Sequence, residues 1–387
     1  MSSSDVQPAI QFDRWAVAAM FLVNGFVVGS WVPQIPSFVA RVGISEFTLG
    51  LLIFGYGLGA ICTMALAGQL ISRIGSGKTL RLFVVPFVCM LPLTALTSDV
   101  WVAVIVLAMF GCFVGGMDVA MNANVVAVEK QLGRAVMSTS HGFWSLGGFA
   151  GGSLGGIGIQ TFGSFQHAII VAVLAAAVVA LAFTHINEGA VLQPKDTRRR
   201  ITWPKQPGIY IVAAMALLCM SAEGSVLNWS ALYLQNELTA DTATVGFAFA
   251  GFSGAMALTR FCGDGIRNHF GSVATFRWSC IVAALSMLVV GLSPWAWLAI
   301  TAFALCGIGM ANLVPILFST AGNQPGLNAG VSLSVVTTIG HVGVLLVPSV
   351  IGFVAGKVGL ASIYITVAIL IGALSLMSGK TAVADAE

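Results

Sequence analysis

Apolar positions along the chain fall in blocks too long for the core of a soluble domain. Runs able to span a bilayer cover residues 15–40, 46–71, 80–98, 100–128, 136–161 and 165–186, and a second set covers 208–234, 243–267, 272–292, 295–320, 328–355 and 359–379. A helix rises about 1.5 Å per residue, so about 20 residues cross a hydrocarbon layer. Backbone polar groups in hydrocarbon must be satisfied within their own segment, which makes each run a helix. The pattern predicts an all-α membrane protein with twelve transmembrane helices in two six-helix bundles. A long polar stretch, Glu188 to Pro207, separates the two sets and carries Lys195, Arg198, Arg199, Arg200 and Lys205. It divides the chain into an N-terminal bundle (1–187), a cytoplasmic linker (188–207) and a C-terminal bundle (208–387).

Composition strengthens this reading. The 387 residues are 58% hydrophobic and 8% charged, against roughly 25% charged in an ordinary soluble domain. The net charge of +3 points to no nucleic-acid partner, and the basic residues have a topological explanation. With both termini on the cytoplasmic side, that side holds Arg14, Arg73, Lys78, Arg81, Lys130, Arg134, the five linker residues, Arg267, Arg277 and Lys380. The other side keeps Arg41 and Lys357, and Arg260 is left inside a helix. Positive residues are retained in the cytoplasm, so this asymmetry supports twelve crossings of an inner membrane. Trp15, Trp203 and Trp278 at one level and Trp101, Trp295 and Trp297 at the other suit interfacial belts. The polar start of the chain, with Asp5 and Asp13, lacks the features of a cleaved signal peptide, so the first apolar run is expected to stay as a helix. The seven cysteines are scattered singly, without metal spacing, and no metal or cofactor is expected.

The halves repeat. At an offset of 196 residues Gly50 falls on Gly246, Gly55 on Gly251 and Gly75 on Gly271. At nearly the same offset, Val17 to Met20 recurs at Val212 to Met215, and Gly29-Ser30 at Gly224-Ser225. Two six-helix halves related along the membrane normal imply a solute site between them near mid-membrane.

The loop after the second helix reads Gly68-Gln-Leu-Ile-Ser-Arg73-Ile-Gly75-Ser-Gly-Lys78, and the second half carries Arg260-Phe-Cys-Gly263-Asp264-Gly-Ile-Arg267 followed by Gly271. Together these resemble the Gly-x-Leu-x-Asp-Arg-x-Gly-Arg-Lys loop of the major facilitator superfamily. The resemblance implies that fold, with transport of a small molecule by alternating access. It also makes Gly68, Arg73, Gly75, Lys78, Arg260, Asp264 and Arg267 a gating loop set. Ser72 stands where the family has Asp, so a charge lock is expected only in the second half, through Asp264. The layout of Gly29-Ser-Trp31 with Pro33 and Pro36, and of Arg260 with Gly263-Asp264, looks most like the sugar-permease branch allied with fucose permease. That branch implies proton coupling through acids in helices one and four. Asp118 fits the second, and helix one has Asn24. Drug/proton antiporters of the family carry a Gly-Pro in helix five, where this chain has Gly147-Gly148, Gly151-Gly152 and Gly155-Gly156 without proline.

Intramembrane charges cost roughly 2.5 to 3.5 kcal/mol each on insertion scales, which makes them functional candidates. Asp118 lies one turn before Asn122 on the same face of helix four, and Glu223 lies near the centre of helix seven. Either carboxyl can load a proton, or else Glu223 can be a structural partner of Arg260. Helices five and eleven carry polar stripes in register at the 196 offset: Ser138, His141 and Ser145, and Ser334, Thr337 and His341. His341 can bind solute or shuttle a proton, and His141 can bind solute. Trp31, Trp144 and Trp229 offer stacking faces, and Asn24, Gln34, Asn228 and Asn312 offer hydrogen bonds. Asn228 is five residues from Glu223, so the two cannot both face one cavity squarely.

The expected function is proton-coupled secondary transport of a small polar solute, a sugar or related metabolite, by a monomer in the lipid bilayer. Export of a metabolite or drug by a proton antiporter of the same fold is the alternative. An enzyme is not expected: HExxH does not occur, and Gly151-Gly-Ser153-Leu-Gly155, which spells GxSxG, lies within the predicted fifth membrane helix rather than on a strand-to-helix turn.

Overall fold

The computed structural model describes residues 3–132, 136–188, 204–327 and 329–385, with the side chains of 3–11, 138, 264, 329 and 330 outside the description. Most of the linker expected at 188–207, together with Trp203 and Arg134, lies outside the described residues.

The first half runs α1 (Ser3–Trp31), α2 (Gln34–Val42), α3 (Glu46–Ile74), α4 (Ser76–Phe87), α5 (Met90–Leu96), α6 (Val100–Leu132), α7 (Met137–Phe162) and α8 (Ser164–Ala182). The second runs α9 (Pro207–Asn236), α10 (Gly246–Phe270), α11 (Ser272–Gly291), α12 (Ala296–Met310), α13 (Leu313–Gly322), α14 (Ala329–Val358) and α15 (Leu360–Leu376). Short 3-10 turns, Phe183–His185 and Ser378–Asp385, end the two halves. Three predicted spans are each broken into two helices: at Val32-Pro33, at Val88-Cys89 after Pro86, and at Ala311-Asn312 ahead of Pro315. Proline has no N–H to donate and crowds the preceding turn, so a helix bends or stops there. Each broken pair counts as one span, which reduces fifteen helices to twelve spans.

Among the described residues nine spans are long and apolar enough to cross a membrane unaided. The other three are α7, diluted by glycines and hydroxyls, α10, which holds Arg260, and α15, 17 residues long. Outward apolar side chains confirm the solvent. Leu181, Leu258 and Leu376 are 80%, 72% and 87% exposed, which hydrocarbon tolerates and water over so many side chains does not.

The chain divides into two compact units, one of Met1–Ile44 with Leu52–Arg198 and the other of Ser45–Leu51 with Arg199–Glu387. In the first, α1 packs along α7 and α4 along α6; in the second, α9 packs along α14 and α11 along α12 and α15. Glycine faces set the first of these seams: a Cβ on Gly29 would lie 2.8 Å from the Gly148 Cα. Only small residues allow such close approach of backbones. Gly59 likewise faces the α6 backbone at Ala108, whereas Gly55 has no atom within 4 Å of its would-be Cβ.

The repeat is written into the backbone. Six of the seven described residues with positive φ pair at the 196 offset: Gly43 (70°) with Thr239 (52°), Gly75 (86°) with Gly271 (77°), and Gly163 (89°) with Gly359 (81°), leaving Gly326 (74°). Helix starts repeat too. Ser45 Oγ accepts from Thr48 N at 3.2 Å, and Asp241 Oδ1 accepts from Thr244 N at 2.8 Å, the same two positions in each half. Ser45 caps the first turn of α3, and Asp241 closes the turn that leads into α10, where Thr244 N also donates to the Asp241 carbonyl at 3.0 Å.

Candidate functional site

In the first unit the structure joins three of the expected residues. Asn122 Nδ2 donates to the Asp118 backbone carbonyl at 2.9 Å and to Asp118 Oδ1 at 3.2 Å. Its amide N–H is thereby committed to the carboxylate, so Asn122 Oδ1 faces His141 Nε2 at 3.2 Å as an acceptor. The imidazole must donate there, which fixes its proton on Nε2 when neutral. The result is a hydrogen-bonded row, His141 to Asn122 to Asp118, linking α7 to α6 with all three side chains half-buried. Phe21 of α1 stacks edge-on against the His141 ring at 5.0 Å.

Asn24 and Trp144 form a second contact between α1 and α7, the indole N–H donating to Asn24 Oδ1 at 2.8 Å. That bond settles the amide orientation and leaves Asn24 Nδ2 buried without a partner among the described residues. A buried donor left unsatisfied costs about 1 to 3 kcal/mol. The pairing was not legible in the sequence, although Phe21 and Asn24, three apart on one helix face, carried a signal for it.

Other expected binding residues have structural partners. Gln34 is buried; its Nε2 donates to Ser164 O at 2.7 Å and lies 3.0 Å from His167 Nδ1, and its Oε1 accepts from Ser164 Oγ. Arg41 extends this network, donating to Thr97 O at 2.9 Å and Thr94 O at 3.0 Å. Trp31 is buried against Phe38 and Phe110. Trp229 is wholly buried, and a Cβ on Gly352 would lie 3.0 Å from its ring, while its indole N–H has no hydrogen-bond partner among the described residues. Asn312 is buried at the α12/α13 break, with its amide in the space that Gly263 leaves open. In each case a side chain of the right chemistry is occupied by packing that the sequence does not display.

In the second unit Glu223 of α9 and Arg260 of α10 form an ion pair at 3.9 Å, with side chains 31% and 25% exposed. His341 Nδ1 lies 2.8 Å from the Thr337 carbonyl, which can only accept. The neutral ring therefore carries its proton on Nδ1 and presents Nε2 as an acceptor. Asn228 Nδ2 donates to Gly224 O at 2.9 Å, within its own helix.

The loop residues behave differently in the two units. Arg73 and Lys78 are exposed. A Cβ on Gly68 would meet nothing within 4 Å, while Gly75 takes the left-handed turn into α4. Ser72 Oγ donates to Gln69 O at 2.7 Å, a local bond in place of a charge lock. Arg267 is held by Ser272 Oγ at 3.0 Å, Ser319 Oγ at 3.0 Å and Ala384 O at 2.5 Å, with Asp385 at 3.5 Å. The lock expected through Asp264 rests on a side chain outside the described residues. No group of three or more metal-ligating side chains occurs among the described residues.

The sequence matches the Major Facilitator Superfamily model over residues 17–348, most of the chain. The chain belongs to the major facilitator superfamily. An uncharacterised MFS-type transporter of Yersinia pestis is 32% identical over 370 residues, covering 95% of this chain and 94% of the relative. The nucleoside transporter NupG, solved as a point mutant, is similar in fold with a TM-score of 0.75 at 12% identity, covering 95% of this chain and 99% of NupG. The fucose:proton symporter FucP of E. coli, also solved as a point mutant, gives 0.62 at 14% identity, covering 95% and 98%. This chain is thus a multi-pass membrane transporter of that superfamily, with its twelve-helix fold and a small-molecule substrate.

Proposed function

We propose that the protein is a proton-coupled secondary transporter of a small polar solute, a sugar or related metabolite, working as a monomer in the inner membrane with both termini cytoplasmic. The observation that carries this reading is the row His141, Asn122, Asp118. A carboxylate, an amide and an imidazole within hydrogen-bond reach of one another, inside a membrane span, form a path along which protonation of Asp118 alters what His141 can donate. Asn24 and Trp144 supply an unused amide donor and an aromatic face beside that row, the two contacts a hydroxylated ring requires. In the second half His341 Nε2 can accept from a hydroxyl, and Glu223 stands as the second carboxyl of the cycle. Transport proceeds by alternating access.

Uptake into proteoliposomes with and without an inward proton gradient tests this. Wild type is expected to accumulate solute with the gradient. Asp118→Asn is expected to lose accumulation while keeping gradient-independent exchange. Accumulation by Asp118→Asn at the wild-type rate removes Asp118 from coupling.

A further inference from the structure

Three arginines of this molecule are hydrogen-bonded several times over. Arg41 donates to two carbonyls and to Ser164 Oγ, Arg81 to Phe183 O, Ile186 O and Glu188, and Arg267 to two hydroxyls and a carbonyl. Each of these guanidiniums is pinned by three acceptors. Arg260 has no hydrogen bond among the described residues, and its contact with Glu223, at 3.9 Å, is beyond hydrogen-bond length. Its five N–H donors form a planar fork shaped for a carboxylate or phosphate.

Its position makes this unusual. Arg260 stands ten residues before the end of α10 and Glu223 sixteen after the start of α9, about 15 and 24 Å along their helices. A charge at such depth is costly unless it meets protein partners or water. The cost of a guanidinium in hydrocarbon argues for water at the quarter of the Arg260 side chain that is left accessible. Arg41, Arg81 and Arg267 spend their donors on protein, and Arg260, deeper along its helix, does not.

We infer that Arg260 is the anion-binding residue of the transport site, and that the solute carries a carboxylate or phosphate group beside its hydroxyls. This rests on the transport reading and narrows its substrate class. Glu223 is the competing internal anion: it balances the guanidinium when the site is empty and is displaced as a bidentate solute anion takes the fork. Removing its charge strengthens anion binding, and removing the fork abolishes it.

The test uses the full-length protein in detergent and matched pairs of neutral and anionic probes: glucose against glucuronate and glucose 6-phosphate, and uridine against uridine monophosphate. Lactate, citrate and inorganic phosphate complete the panel. Thermal stabilisation is expected from anionic members only. The carboxylate and phosphate arms identify which group is bound. Arg260→Gln is expected to weaken the active anion at least tenfold, Arg260→Lys several-fold, and Glu223→Gln to tighten it several-fold. Stabilisation by a neutral member, equal in wild type and Arg260→Gln, overturns the proposal, as does stabilisation by no anion at 10 mM. Anion binding that depends on Arg260 without uptake into proteoliposomes sinks the transport reading and leaves the anion site standing.

Discussion

Thr239 is the one non-glycine residue with positive φ among those described, at 52°. A β-branched side chain there crowds the backbone, and the left-handed region costs an L-residue about 1 to 2 kcal/mol. Its counterpart in the first half is Gly43, at 70°. Thr239→Gly is therefore expected to stabilise by up to about 1 kcal/mol, less the extra chain entropy that glycine loses on folding. A rise in apparent melting temperature checks it. The converse substitution, Gly75→Ala, forces a side chain into φ 86° and ψ 161°, a region tolerated essentially by glycine alone at a cost of about 1 to 3 kcal/mol. It should melt earlier, whereas Gly55→Ala, with open space at its Cβ, should not.

Each unit ends in a polar strap laid back over its own helices. After α8, Arg81 holds Glu188 at 2.6 Å and Ile186 O at 2.8 Å, and the Gly77 N–H donates to Glu188 O at 3.1 Å. After α15, Arg277, which is Arg81 displaced by the 196 offset, donates to Ser378 Oγ at 3.1 Å. Asp385 accepts from the Ser272 N–H at 2.7 Å, occupying the start of α11. The hydrogen bond from Arg81 is the main cause holding the Glu188 carboxyl below its ordinary value of 4.5. A depressed carboxyl contributes stability above its unfolded value, and that contribution disappears as pH falls through the folded one. The difference between wild type and Glu188→Gln is expected to be constant well above pH 4.5 and to be lost as pH falls below 4.5 through the lower folded value. Its size should be under about 1 kcal/mol, because Glu188 is largely solvated. Melting curves across pH check both the window and the size.

For the molecule as a whole, the basic-residue count makes a topological prediction. Assigning Arg73, Lys78, Arg81 and Lys130 to the cytoplasm together with both termini predicts that a fluorescent reporter fused to the C-terminus matures in the cytoplasm. An alkaline phosphatase fused there should stay inactive. The opposite pair of results would invert the assignment. The apolar blocks and the 196-residue repeat specified twelve helices, because hydrocarbon constrains every residue of a span and leaves its mark in composition and period. The sequence could also single out Asp118, Asn122 and His141, since polar residues are rare and costly there. Tertiary structure alone decided which polar residues were free. Gln34 and Arg41 are spent on Ser164 and the α5 carbonyls, while Asn24 keeps an amide donor and Arg260 its fork. Hydrogen-bond capacity is filled by whichever groups packing brings within about 3 Å, and partners 53 to 130 positions apart leave no trace in a single sequence.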